Sequence, residues 1–354
     1  MDSYMVNKNF RLSGLDGIRG ALAIIVALSH SFGHFTGWES GLYPFKNVSF
    51  SVDVFFILSG MVLYHAHAID IKNGSLSPQS FFLKRLLRLY PLHLFTILLV
   101  PLCLFISIGT PYPEWLGKST IQNIFGDSLL MNAIGIGFDF SSNQPSWSIS
   151  VEMYIGTILI YVSCLTMAMP ILFVFISATL FFIFNIAPPE GPQYHAFLVN
   201  GGIVRCLFSM SIGIMAYKLT VANLDFLKSH KKLSICMSSF GFAAIVLIVI
   251  FINLSVTEYI IAIPLIALAI SIIGLMDLPE FKFLDSKILS ILGQRSFSIY
   301  LMHTPVIYLF LLLKSSNNFL NSFMAILSIL ITISVSKYTL KYIEKPFIKI
   351  SKKL

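Results

Sequence analysis

Ten apolar segments, each long enough to cross a bilayer as an α-helix, restrict this chain to the folds of polytopic membrane proteins. A transmembrane helix needs about 20 mainly apolar residues. Of the 354 residues, 56% are hydrophobic and 11% are charged, against roughly 25% charged in a soluble domain. The segments lie at about 15 to 35, 48 to 66, 90 to 109, 147 to 167, 170 to 187, 198 to 217, 233 to 253, 258 to 276, 297 to 313 and 320 to 341. We therefore predict an all-α transmembrane bundle of about ten spans.

The net charge of +8 is explained by topology and does not require a nucleic-acid partner. With the N-terminus in the cytoplasm, 20 of the 24 lysines and arginines fall on the cytoplasmic side of the spans. The outer loops hold only Lys46, Lys118 and Lys314, and Arg205 lies within a span. By the positive-inside rule, both termini are predicted to be cytoplasmic.

The organisation along the chain predicts one integral-membrane domain. This domain runs from about residue 10 to 347, residues 348–354 form a short basic cytoplasmic tail, and we expect no appended soluble domain. An outer connection from 110 to 146 contains a half-apolar piece, 121 to 136, which suits a re-entrant or interfacial segment. The four cysteines lie in apolar runs without metal-ligand spacing, so we predict neither disulfides nor a zinc site.

Arg19 and His30 stand eleven positions apart in the first apolar segment. On an α-helix this spacing amounts to about three turns and a rise of roughly 16 Å, so both side chains face the same way. Ionisable groups deep in a membrane are costly and indicate function. His34 follows at i, i+4, but we find no third ligand at useful spacing, so metal binding is a minor alternative.

Three further sets of polar residues lie in or beside the spans. Asp53 is a carboxylate in the second span that requires a cationic or imidazole partner. Two of these sets each have a functional and an ordinary interpretation. Ser59 and Gly60 are explained by close helix packing as well as by function. Arg85 and Arg88, at i, i+3, could bind a phosphate ligand or simply anchor the helix at the cytoplasmic surface.

Two serine-containing motifs complete the candidates. Ser148 and Glu152 meet on one helical face, and Trp147 beside them is typical of a membrane interface. Near the C-terminus, Ser296, Tyr300 and His303 share a face, where His303 is either a second imidazole of the site or a hydrogen-bonded core residue.

Taken together, these motifs resemble the acyltransferase 3 family of integral membrane proteins, which includes O-acetyltransferases of bacterial surface polysaccharides. The matching pieces occur in the family's order: Arg19 with His30, Phe55 to Gly60, Arg85 with Arg88, Pro145 to Glu152, Ser296 to His303, and Glu344-Lys345-Pro346. They span residues 15 to 346. They do not specify the acceptor.

The resemblance implies a bacterial inner-membrane, multi-pass enzyme that transfers an acetyl group from cytoplasmic acetyl-CoA to a sugar hydroxyl. It implies no permanently bound cofactor; its partners would be acetyl-CoA, membrane lipid and an envelope glycan or lipid-linked acceptor, such as lipopolysaccharide O-antigen. We expect His30 to be the general base, with Asp53 or Glu152 orienting its other nitrogen. The residues expected to bind the donor are Arg19, Arg85 and Arg88, and those in supporting roles are Trp147, Ser148, Ser59, Tyr300 and His303.

Four alternatives remain open. His30 could instead be a nucleophile that carries the acetyl group as an acyl-imidazole. The acceptor could be an exopolysaccharide, peptidoglycan, an oligosaccharide or a macrolide. Ten spans with buried ionisable residues also suit a transporter or flippase of an envelope precursor, and a non-catalytic scaffold would need these residues only for stability.

Overall fold

The computed structural model describes residues 12–39, 43–134, 140–186, 194–196 and 199–354. The predicted start of the domain at residue 10, and the basic residues Lys8 and Arg11, lie outside these ranges. So do the last two residues of the segment predicted at 121 to 136.

The described residues form fifteen α-helices and one short hairpin. The helices are α1 Leu15–Thr36, α2 Phe50–Lys72, α3 Pro78–Ile108, α4 Ile121–Ser128, α5 Ser146–Val151, α6 Thr157–Leu165, α7 Ala168–Phe184, α8 Gly201–Ala222, α9 Leu224–Ser229, α10 Lys231–Phe251, α11 Val256–Leu275, α12 Lys287–Gln294, α13 Ser296–Phe310, α14 Asn318–Thr339 and α15 Lys345–Ser351. Strands β1 Tyr194–Ala196 and β2 Val199–Asn200 pair antiparallel. Short 3₁₀ turns occupy Glu114–Leu116, Pro279–Asp285 and Leu311–Leu313, and π turns occupy Glu152–Gly156 and Leu340–Glu344.

These helices confirm an all-α membrane bundle. Within the described ranges, nine helical stretches are long and apolar enough to cross a membrane, and α7 is a shorter apolar helix at the place of the fifth predicted span. Large apolar side chains such as Leu98 (76% exposed) and Phe175 (70% exposed) point outward, as lipid contact requires. The two π turns join α5 to α6 and α14 to α15 into continuous helical stretches.

The helix that contains the third predicted span begins at Pro78, twelve residues before position 90, because a capped N-terminus extends it. Ser77 accepts a hydrogen bond from the Ser80 amide at 3.2 Å, and Pro78 occupies the first turn. Hydropathy alone excluded residues 78–89 from the predicted span, because they include basic residues. Arg85 and Arg88 consequently lie on this long helix, with Arg85 buried and Arg88 exposed along a cavity of the bundle.

Helices α2 and α8 cross at very short range through paired glycines. A Cβ atom on Gly60 would collide with the Met210 carbonyl, and one on Gly213 would collide with the Ile57 carbonyl. Small residues allow this approach of two backbones. Gly60 is therefore explained by packing, whereas the neighbouring Ser59 hydrogen-bonds to Glu152.

The connection between α3 and α5 folds back on the bundle through buried polar contacts. The carboxylate of Asp127, on α4, accepts hydrogen bonds from the backbone N–H (3.0 Å) and hydroxyl of Ser142. His93 Nε2 lies 2.8 Å from the Asp127 carbonyl, and Asn143 donates to the Leu301 carbonyl at 3.0 Å. These contacts hold the connection against α3 and α13.

Candidate functional site

Three cavities follow one another through the bundle. We call them the outer chamber, about 130 Å³, the inner chamber, about 300 Å³, and the basic mouth, about 420 Å³. The outer chamber contains His30 and His303, and the inner chamber contains Arg85 and Glu152. The inner chamber and the basic mouth share four lining residues: Arg19, Arg88, Ser296 and Phe297.

The outer chamber is organised around a pair of histidines from α1 and α13. His30 Nδ1 lies 2.8 Å from His303 Nε2. His303 is fully buried, and its Nδ1 lies 3.3 Å from the Ile299 carbonyl, which only accepts hydrogen bonds. In the neutral pair His303 therefore carries its proton on Nδ1, its Nε2 accepts, and His30 Nδ1–H donates. This tautomer leaves the lone pair of His30 on Nε2.

Aromatic rings surround the second histidine of α1. The ring of His34 lies 6.0 Å from Trp38, 5.8 Å from Trp115 and 5.2 Å from Tyr308, measured between centroids. Trp38 and Trp115 are 49% and 44% exposed. The outer chamber therefore has an aromatic rim. Lys314 lies at the same end, and its ammonium donates to the His34 backbone carbonyl at 2.7 Å.

The inner chamber has an ion pair in its wall. Arg85 Nη2 donates to Glu152 Oε1 at 2.7 Å, and its Nε donates to Thr157 at 3.1 Å. Ser59 donates to the same Glu152 oxygen at 3.1 Å. Glu152 opens the π turn between α5 and α6, and such turns are frequent at functional sites. Arg85 is buried and its guanidinium is already engaged, so Arg88 is the more accessible arginine of the predicted pair.

A hydrogen-bonded partition separates the two chambers. The hydroxyls of Tyr300 and Ser148 lie 2.9 Å apart, and both lie within hydrogen-bond distance of the Pro145 carbonyl, at 3.1 and 3.2 Å. Phe55 packs edge-on against Tyr300 with ring centroids 5.9 Å apart. Tyr300 and Ser148 line the inner chamber, whereas their neighbours His303 and Trp147 line the outer one.

Asp53 does not contact His30, so the structure gives no support to its predicted role in orienting that ring. Both oxygens of Asp53 instead accept from Arg205, at 3.1 and 2.6 Å, in a pair whose side chains are fully buried. Tyr259 also donates to Asp53 at 2.8 Å. The physical reason is proximity: α8 places a guanidinium against the start of α2, and a bidentate cation satisfies the carboxylate completely.

Glu152 is likewise paired with Arg85 and Ser59 and not with His30. The hydrogen-bond partner of His30 is His303, the residue for which the sequence left two interpretations open. From the sequence, Arg205 was evident only as a basic residue within a span, and Thr157 had no predicted role. The sequence did contain a signal for Arg205, because an arginine inside an apolar span requires a buried counter-charge.

The structure brings the other predicted residues to two places. Arg19 and Arg88 line the inner chamber and the basic mouth, together with Ser296. The Arg205 guanidinium lies over the ring of Trp147, 5.7 Å from the ring centroid. Trp147 thereby links the outer chamber to the Asp53–Arg205 ion pair. In the described part of the chain, no three His, Cys, Asp or Glu side chains are grouped to hold a metal ion.

Comparison with known proteins adds a family likeness to this geometry. A family model described as an acyltransferase domain, Acyl_transf_3, matches residues 12–339. A Rhizobium radiobacter protein described as Protein 2 in picA locus is 35% identical over 102 residues, which make up 28% of this chain and 50% of that protein. Acyltransferase MdmB of Streptomyces mycarofaciens is 33% identical over 154 residues, 40% of this chain and 36% of that protein. The matches thus span half of the first relative and about a third of the second, and no solved structure matches this chain.

Proposed function

We propose, from the premise that this chain belongs to the acyltransferase 3 family, that it is a membrane O-acyltransferase using cytoplasmic acetyl-CoA. The acceptor would be a sugar hydroxyl of a cell-surface polysaccharide or its lipid-linked precursor, such as lipopolysaccharide O-antigen. The observation that carries this proposal is the order of the cavities: a basic mouth and an arginine-lined chamber lead toward a histidine pair whose reactive nitrogen has a lone pair.

The histidine pair supplies the base for this reaction. An alcohol attacks a thioester well only when its proton is removed. His30 Nε2 takes the proton of the acceptor hydroxyl, the oxygen attacks the thioester carbonyl carbon, and the C–S bond breaks. The imidazolium of His30 then returns the proton to the CoA thiolate. His303 Nε2 accepts from His30 Nδ1–H throughout and stabilises the positive charge on the ring.

The donor would enter from the basic end. The positive-inside distribution of lysine and arginine supports a cytoplasmic position for this end, where acetyl-CoA is present. Arg19 and Arg88 suit the phosphates of the donor, and the Arg85–Glu152 pair keeps the wall of the inner chamber polar without excess charge. The thioester reaches His30 when the Tyr300–Ser148 partition moves aside.

The same lone pair on His30 Nε2 allows a carrier route. In that route Nε2 attacks the thioester carbonyl carbon and the C–S bond breaks, so that CoA leaves as the thiolate. The acceptor hydroxyl then attacks the acyl-imidazole, the bond from Nε2 to the acyl carbon breaks, and the hydroxyl proton ends on the thiolate. Labelled acetyl-CoA distinguishes the routes: label retained on purified protein without acceptor supports the carrier, and an active preparation that stays unlabelled supports the base.

The test of the function uses the full chain in lipid nanodiscs with acetyl-CoA and surface glycan from cells that lack this gene. We expect acceptor-dependent release of CoA and a new O-acetyl signal in the glycan NMR spectrum. His30→Ala should abolish both, whereas His230→Ala, on the exposed surface after α9 and stacked on Phe226, should leave them unchanged. Movement of unmodified glycan without CoA release would contradict the proposal and support a transporter.

A further inference from the structure

The C-terminal helix contributes a row of lysines to the basic mouth. Lys345, Lys349 and Lys352 line this cavity together with Arg19 and Arg88. The spacing of i, i+4 and i+7 places the three lysines on one helical face. All three are exposed on the protein surface, yet they point to the cavity that continues into the inner chamber.

A π turn separates these lysines from two others on the same helical stretch. Lys337 precedes the turn at Leu340–Glu344, and Lys341 lies within it. The ammonium of Lys337 lies over Tyr338, 5.8 Å from the ring centroid, and that of Lys341 lies over Tyr342, 4.8 Å from the ring centroid. Neither lines the basic mouth. Bonding from i to i+5 inserts one residue into the turn, so the helical face that follows is rotated relative to the face before it.

The two carboxylates of the mouth are already engaged. Asp16 accepts from Arg19 at 3.3 Å, and Glu344 accepts from Ser298, which itself accepts from Thr339 at 3.0 Å. Five cationic and two carboxylate side chains line the cavity. The positive charge therefore exceeds the negative charge in a concave space, and such a site favours a multiply charged anion.

We propose that the basic mouth binds the phosphorylated nucleotide end of the acyl donor, with Lys345, Lys349 and Lys352 contacting its phosphate groups. The inference rests on the proposed use of acyl-CoA. The arm that carries the thioester would extend from the mouth past Arg19 and Arg88 into the inner chamber. Arg19 lies about 16 Å along α1 from His30, a distance comparable to the length of an extended pantetheine arm.

Phosphate groups could also come from an anionic lipid at the membrane surface, because the same lysines would bind a headgroup. The continuity of the cavity with the inner chamber, through the four lining residues that they share, favours the soluble nucleotide. Two comparisons separate the sources. Acetyl-CoA is compared with its dephospho form, which lacks the 3′-phosphate, and nanodiscs of phosphatidylcholine alone are compared with nanodiscs that also contain phosphatidylglycerol.

The test measures the KM for the donor in the full chain with Lys345, Lys349 and Lys352 all changed to glutamine. We expect KM for acetyl-CoA to rise at least about tenfold with kcat unchanged, since the variant loses charge-assisted hydrogen bonds to the phosphates of the donor. The preference for acetyl-CoA over its dephospho form should shrink, in both lipid compositions. The matched control changes Lys337, Lys341 and Lys353 to glutamine, and the charge-preserving control changes the three mouth lysines to arginine; both should keep a near wild-type KM.

Three results would overturn the inference. One is an active triple-glutamine variant with wild-type KM for acetyl-CoA. Another is an equal rise of KM in the control with Lys337, Lys341 and Lys353 changed. The third is an effect that appears only with phosphatidylglycerol, which would assign the lysines to lipid. Absence of acyl transfer from CoA in the wild-type chain would instead refute the proposed function, so the two failures are distinguishable.

Discussion

His30 on α1 and His303 on α13 form a direct hydrogen bond of 2.8 Å between Nδ1 and Nε2, across 273 positions of sequence. The backbone carbonyl of Ile299 fixes the proton of His303 on Nδ1, so His303 accepts from His30. The relationship is that of an orienting group to a base, with an imidazole in the place that a carboxylate takes in serine hydrolases. It makes His303 a positioning residue for the proposed chemistry.

His303→Ala should therefore reduce kcat by about 100-fold or more with little change in the KM for acetyl-CoA, because general-base catalysis contributes about 10²–10⁴. The pH profile of kcat should shift as well, since the ring of His30 loses its acceptor. His303→Gln, whose side chain can still accept through its amide oxygen, should recover part of the rate. A variant with the wild-type rate and pH profile would show that His303 is only a packing residue.

Tyr300→Phe should weaken the partition between the chambers. The change removes the hydroxyl that lies 2.9 Å from Ser148 and 3.1 Å from the Pro145 carbonyl, while the ring can still pack on Phe55. We expect a loss of about 1 kcal/mol in stability, the usual worth of a hydrogen bond. CoA release without acceptor should increase, because water gains access to the thioester. Acceptor-independent release at the wild-type level would argue against a sealing role.

Asp53→Ala should prevent stable folding, because it leaves the guanidinium of Arg205 buried without its partner. Removing one member of a buried ion pair costs about 3–5 kcal/mol. The double variant Asp53→Leu with Arg205→Met should recover folded protein, measured as a monodisperse peak in detergent and as the unfolding temperature. If Asp53→Ala instead folds normally and only loses acetyl transfer, Asp53 acts in catalysis as the sequence first indicated.

The connection between α3 and α5 should become more stable as the pH falls from about 6 to about 4. Burial raises the pKa of Asp127 to about 6, although hydrogen bonds from Ser142 oppose the shift; in the unfolded chain an aspartate has a pKa of about 3.9. Between these values the folded protein takes up a proton that the unfolded chain does not, so stability increases toward the lower pH. Above pH 6 the burial cost is fully present.

Asp127→Asn removes this titration and retains an oxygen that accepts from Ser142. The difference in unfolding temperature between the variant and the wild type should be larger at pH 7 than at pH 4.5, which separates Asp127 from the other groups that titrate in this range. An equal difference at both values would show that Asp127 is not buried as described.

Many features of the fold follow from local sequence. Within the described residues, hydropathy located the nine helical stretches of membrane-spanning length and the shorter α7, because a membrane span must satisfy its own backbone hydrogen bonds and the pattern is contained within about 20 residues. It did not show that the helix containing the third span extends back to Pro78, so that Arg85 and Arg88 lie on the same continuous helix as the apolar residues. The two-stranded hairpin at Tyr194–Ala196 and Val199–Asn200 was also not predicted.

The sequence by itself determined which helices form and which residues are costly to bury: His30, Asp53, Glu152 and the arginines. Only the tertiary structure decided their partners. Asp53 pairs with Arg205, Glu152 with Arg85, and His30 with His303. Helical spacing relates residues a few positions apart, whereas these pairs join different helices across 67 to 273 positions. Which charge meets which therefore depends on how the helices pack, and that packing arises from contacts throughout the bundle.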